Sequence, residues 1–96
     1  MMRQIDFTKI KVFGSFEDED AGKTEEVNVA KVLGNRMKYS GPVLLDIGFE
    51  ELAAKIYYSD GPVEVPDPYI DPIRECVRSA PYYASVKRAI LKLLEP

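Results

Sequence analysis

The sequence predicts a single α+β domain over residues 1–96, a small antiparallel sheet of two or three strands packed against four helices. Three observations lead there. Apolar residues recur at helical spacing in four separate stretches. They alternate with polar residues near the N-terminus and again after residue 62. Start and stop residues punctuate the intervals between. So small a sheet cannot stand alone and needs the helices over its apolar face.

In chain order, Ile5 and Phe7 alternate with Asp6 and Thr8, then Ile10 and Val12 with Lys9 and Lys11. That is strand spacing over 5–13, with Gly14 and Ser15 marking a bend. After Phe16 the run EDEDAGKT holds Ala21 as its only apolar residue and reads as a solvated acidic loop. Val27 and Val29, spaced by two, place a second strand at 24–28, pairing with the first as a hairpin across that loop. Asn28 caps a helix over 29–39, whose turns carry Val29, Val32, Leu33 and Met37. Gly34 inside it costs up to about 1 kcal/mol against Ala, which a close contact with another element would justify. Ser40-Gly41-Pro42 stops this helix, and Val43-Leu44-Leu45 links it to the next.

The best-punctuated helix spans 46–58. Asp46 is its N-cap, and Glu50 and Glu51 lie where the positive end of the helix dipole favours acids. Phe49, Leu52, Ala53 and Ile56 draw the buried stripe. Ser59-Asp60-Gly61-Pro62 ends it, with Gly61 suited to a left-handed turn. Val63 and Val65 then alternate with Glu64 in a short strand at 62–65. Asp67 as cap and Pro68 at the first position open a helix over 67–78, with Tyr69, Ile70, Ile73, Cys76 and Val77 inward. Ser79 caps the last helix, 81–94, whose stripe is Tyr82, Val86, Ala89, Ile90, Leu93 and Leu94. Lys87, Arg88 and Lys92 lie on its other side.

Composition narrows the function by exclusion. The chain has no histidine and one cysteine, Cys76. A Cys/His zinc site within the chain and Ser-His-Asp or Cys-His catalysis are therefore excluded. Glu17-Asp18-Glu19-Asp20 does not continue as a calcium loop, because Gly22 and Val29 stand at the wrong places. Gly22-Lys23-Thr24 lacks the preceding glycine of a phosphate loop, and the adjoining acids would repel a nucleotide. Net charge is −3, which advertises no nucleic-acid partner. The lone cysteine suits a reducing compartment, and the N-terminus lacks the apolar core of a secretion signal. No apolar run approaches the ~20 residues needed to cross a bilayer. The expectation is a cytoplasmic, soluble chain without membrane contact.

Two features remain. Tyr57-Tyr58 and Tyr82-Tyr83 are adjacent pairs in which one ring faces inward and its neighbour outward, so Tyr58 and Tyr83 are candidate contact residues. Arg74, Arg78, Lys87, Arg88 and Lys92 gather in the last two helices, whose short junction recurs in helix-turn-helix proteins. Against that reading, the second helix begins Tyr82-Tyr83-Ala84 without base-reading side chains.

Val29–Gly41, VAKVLGNRMKYSG, and Phe49–Ile70, FEELAAKIYYSDGPVEVPDPYI, resemble small uncharacterised proteins encoded in phages and prophages. Such chains share an N-terminal extended segment, a helix with a leucine-glycine-asparagine run, and a helix ending in isoleucine-tyrosine before a Gly-Pro turn. The resemblance implies a virus-derived accessory or assembly protein that acts by protein contact. It implies no activity and no site.

The expected function is thus a non-enzymatic protein-interaction module with no catalytic residue, cofactor or metal. Contact would run through an edge strand or the outward tyrosines. The core of so short a chain is modest, which leaves homo-oligomerisation open. The second reading is a DNA-binding regulator using the basic C-terminal helices.

Overall fold

The alternation that predicts one strand over 5–13 is interrupted by a local competitor. The Asp6 carboxylate accepts from the Thr8 amide at 2.9 Å and from the Thr8 hydroxyl, an Asx turn that bends the chain. Two short strands result, β1 (Met2–Ile5) and β2 (Ile10–Val12), with fully buried Phe7 between them. The computed structural model describes residues 2–40 and 46–95. Its other elements are α1 (Phe16–Ala21), β3 (Glu25–Val27), α2 (Ala30–Ser40), α3 (Ile47–Tyr57), β4 (Val63–Pro66), a 3-10 turn (Asp67–Tyr69), α4 (Ile70–Ser79) and α5 (Ala84–Leu93). The expected stop and link at Gly41–Leu45 lie outside the described residues.

The fold is α+β. Its strands form two antiparallel ladders rather than one continuous sheet. β1 pairs with β4, from Met2 opposite Pro66 to Ile5 opposite Val63. β2 pairs with β3, Ile10 opposite Val27 and Val12 opposite Glu25, as the hairpin reading expects.

The acidic segment is a correction: it is helical, not a loop. The Ser15 hydroxyl accepts from the Asp18 amide at 3.1 Å, and Glu17, Asp18 and Glu19 sit in the first turn where the dipole favours them. Gly22 closes the other end in the left-handed region at φ 71°. The Lys23 amide reaches the Asp18 carbonyl and the Gly22 amide the Glu19 carbonyl, which is a Schellman closure. α1 buries none of its residues, so its caps hold it.

Three boundaries also differ from expectation. α3 ends at Tyr57 and is closed by Ser59, whose amide and hydroxyl both donate to the Ile56 carbonyl, while Gly61 does not turn left-handed. Asp67 is the first residue of the 3-10 turn rather than the cap before it. Ser79 does not cap α5; its hydroxyl closes α4 by donating to the Cys76 carbonyl at 3.1 Å. α5 starts at Ala84, three residues later than its pattern suggests. Asp46 caps α3 as expected, accepting from the Phe49 amide at 3.1 Å.

All these elements share one core. Phe49 and Ile56 of α3, Ile73 of α4 and Ile90 of α5 are at most 1% exposed. They pack with Ile5, Phe7, Ile10 and Leu33 in a single buried cluster. α2 and α3 make the most extensive contact between helices. Gly34 is what permits it, since a methyl group there would lie 2.7 Å from Tyr57 Cβ and 2.9 Å from the Ala53 carbonyl oxygen. The Lys31 ammonium covers the Tyr57 ring at 4.3 Å on the same interface.

Gly34→Ala sets two effects against each other. Helix propensity gains about 1 kcal/mol. The clash falls on backbone and a Cβ, neither of which can swing aside, and overpacking of that kind costs about 1–3 kcal/mol. The expected outcome is a lower urea midpoint with an unchanged slope; a raised midpoint would show that α2 and α3 separate freely.

Candidate interaction groove

Along a strand, side chains point alternately to opposite faces, so a cleft over one face is lined by every second residue. Lys9 through Phe16 all border a single groove, whose volume is about 1000 Å³. The groove follows β2 along its whole length. Among the described residues, nothing beyond the β3 ladder hydrogen-bonds the backbone of Lys9–Gly14. The opposite wall is one face of α5, formed by Ser85, Arg88, Ala89, Lys92 and Leu93 at helical spacing. α1 reaches the groove through Phe16 and Glu19.

The rim is unusual for so small a chain. Phe13 is 43%, Phe16 87% and Leu93 46% exposed, and all three border the same groove. Clustered exposed apolar residues mark contact surfaces, whereas scattered ones do not. Lys9, Lys11, Arg88 and Lys92 border it as well, against Asp6 and Glu19. The Asp6 carboxylate is already occupied by Thr8. Among the described residues none of these four cations joins an ion pair. Arg3 adds a fifth positive group nearby, its guanidinium donating to the Leu93 carbonyl at 3.3 Å.

The candidates named from sequence do not form one site. Arg74 lies 3.6 Å from Asp71, and Arg78 pairs with Glu75, both pairs within α4. The Lys87 ammonium donates to the Arg78 carbonyl at 2.7 Å and ties α5 to the end of α4. Arg88 and Lys92 alone among the five reach the groove. Tyr58 stands exposed at the end of α3, edge-on to Tyr57 at 4.8 Å, beside a smaller depression shared with Tyr39 and Lys38. Tyr83 is exposed immediately before α5 and borders neither cavity. Sequence reasoning missed Phe13, Phe16, Lys9 and Lys11 as site residues. A usable signal was present, two phenylalanines flanking a Gly-Ser bend with few apolar neighbours after it.

Buried Cys76 and half-buried Tyr82 are both held inert. Burial pushes the Cys76 thiol up to about 11, so it stays a protonated core side chain. Tyr82 is pushed up to about 12, chiefly by burial, while its hydroxyl donates to the Val29 carbonyl at 2.8 Å. No described helix is long and apolar enough to cross a membrane. Comparison with family models, curated proteins and solved structures returns no match.

A raised folded-state pKa makes neutral Tyr82 and Cys76 a source of stability that is complete below their ordinary values, 10.0 and 9.0. It is lost as pH climbs through the folded values, because the unfolded chain ionises first. The urea midpoint is expected to hold to about pH 9 and to fall between about pH 9 and 12. Tyr82→Phe should lower stability at pH 7 by about 1 kcal/mol through the lost hydrogen bond, and should make the alkaline fall shallower.

Proposed function

We propose that the chain is a non-enzymatic protein-interaction module and that the groove between β2 and α5 is its contact surface. The observation that carries this is the convergence of Phe13, Phe16 and Leu93, all solvent-exposed, on one groove beside β2, a strand that pairs with β3 alone among the described residues. Leaving apolar rings in water costs stability unless a partner covers them. α1 sharpens the point, because Phe16 contributes nothing to the core from a helix with no buried residue.

The DNA-binding alternative has less support. Two of the five C-terminal cations are neutralised by Asp71 and Glu75, and a third is tied to a backbone carbonyl. The acids of α1 flank the groove that the other two line. The resemblance of Val29–Gly41 and Phe49–Ile70 to phage-encoded proteins suggests an accessory or assembly role as the setting of this module, in the cytoplasm of a host cell.

The test compares variants that cannot disturb the core. Phe16→Ser and Leu93→Ser are expected to lose a partner captured from the host lysate by about tenfold or more. Tyr58→Ala and Tyr83→Ala should retain it, with circular dichroism confirming the fold of all four. Two results would overturn the proposal: a specific turnover activity in the purified protein, or duplex DNA binding that weakens steeply with salt.

A further inference from the structure

Resting on the interaction-module reading, we infer that the groove is a dimer interface: it takes α1 of a second copy of this chain, while its own α1 enters the second copy's groove. The contact is two-fold. Phe16 of each copy is covered by Phe13 and Leu93 of the other, and the acids of each α1 meet Lys9, Lys11, Arg88 and Lys92 of the other. A closed contact of this kind uses one patch twice and leaves nothing open to further growth.

The choice of occupant follows from a face that carries both signs of charge. Lys9, Lys11, Arg88 and Lys92 border the groove. Glu19 borders it too, Glu17, Asp18 and Asp20 belong to the same helix, and Glu26 stands opposite Lys11 in the β2–β3 ladder. A partner of one sign, an acidic peptide or a nucleic acid, is repelled by one set as it is attracted by the other. A second copy, turned by half a revolution, brings acids to cations and cations to acids. Neither set is neutralised within the chain: among the described residues, no acid of α1 and none of the four cations joins an ion pair. α1 supplies an independent argument. Six residues are too few for a helix to persist in water on propensity alone, and one copy buries none of them. Its Phe16 ring is 87% exposed. Packing across the dimer gives α1 the tertiary support that a single copy lacks. Exposed ion pairs contribute little, so the apolar contact carries the affinity and the charges set the register.

The experiment measures the sedimentation equilibrium of the full chain with two charge-reversed variants, Glu19→Lys with Asp20→Lys, and Arg88→Glu with Lys92→Glu. The unaltered chain is expected to form a dimer that weakens as salt is raised. Each variant alone should self-associate about tenfold or more weakly, because like charges then face each other at both contacts. An equimolar mixture of the two should recover a heterodimer about as tight as the unaltered dimer, since α1 and groove are then complementary in both directions. Isotope-filtered nuclear Overhauser spectra of a labelled and unlabelled mixture of the unaltered chain decide the same point without any variant: contacts are expected between the Phe16 ring of one copy and the Leu93 methyls of the other. A chain that stays monomeric at millimolar concentration would overturn the inference. So would a dimer indifferent to both reversals, a mixture of folded variants that does not recover, or a dimer without the Phe16–Leu93 contact. The broader reading falls separately. A monomeric chain whose captured partner of different sequence is lost on Phe16→Ser sinks the dimer and leaves the interaction module standing.

Discussion

The approach of α2 to α3 is the constraint on which the other elements depend. With no side chain at Gly34, the backbone of α2 comes against Tyr57 and Ala53 directly. α2 is anchored at its start to the link between β1 and β2, because the Val29 amide donates to the Phe7 carbonyl at 2.9 Å and Asn28 caps the first turn. α3 delivers the chain to β4, which pairs with β1. The two ladders are separate sheets. The helix pair packs into the one core that both ladders share.

Much of this architecture was legible because it rests on local chemistry. Asp46 announces α3, and the stripes of α3 and α4 match the residues that are buried. The features that escaped depend on competition or on distance. Strand alternation through Asp6 and Thr8 is a true pattern, but a side chain that bonds the backbone two residues on overrides it. α1 was invisible to a search for apolar periodicity, since it has no buried stripe. Its signals were of another kind: Ser15 with Asp18 three residues later, and Gly22 at the end. The start of α5 was misplaced because Pro81 and Ser79 look like an opening, whereas Ser79 is used to close α4.

The site was legible only in part for the same reason. Arg88 and Lys92 could be named as an outward basic pair from helical spacing alone. That they meet Lys9 and Lys11 across a groove is a tertiary fact, since α5 and β2 lie at opposite ends of the chain. An edge strand was anticipated as a contact element, but which edge stays open depends on how the strands distribute between the ladders. The exposure of Phe13 and Phe16 is equally tertiary. By composition alone a phenylalanine belongs in the core, and here Phe7 and Phe49 occupy that place.

α1 has one further consequence. It connects β2 to β3 without anchoring either, for its bonds run within its own turns. A protease could nick this acidic turn and leave the backbone ladder between the two pieces intact. The cut would divide the chain into a short N-terminal fragment carrying β1 and β2 and a long one carrying the rest, each contributing a strand to both ladders. The molecule is in that sense built for complementation, two unequal pieces able to reassemble through paired strands and a shared greasy interior.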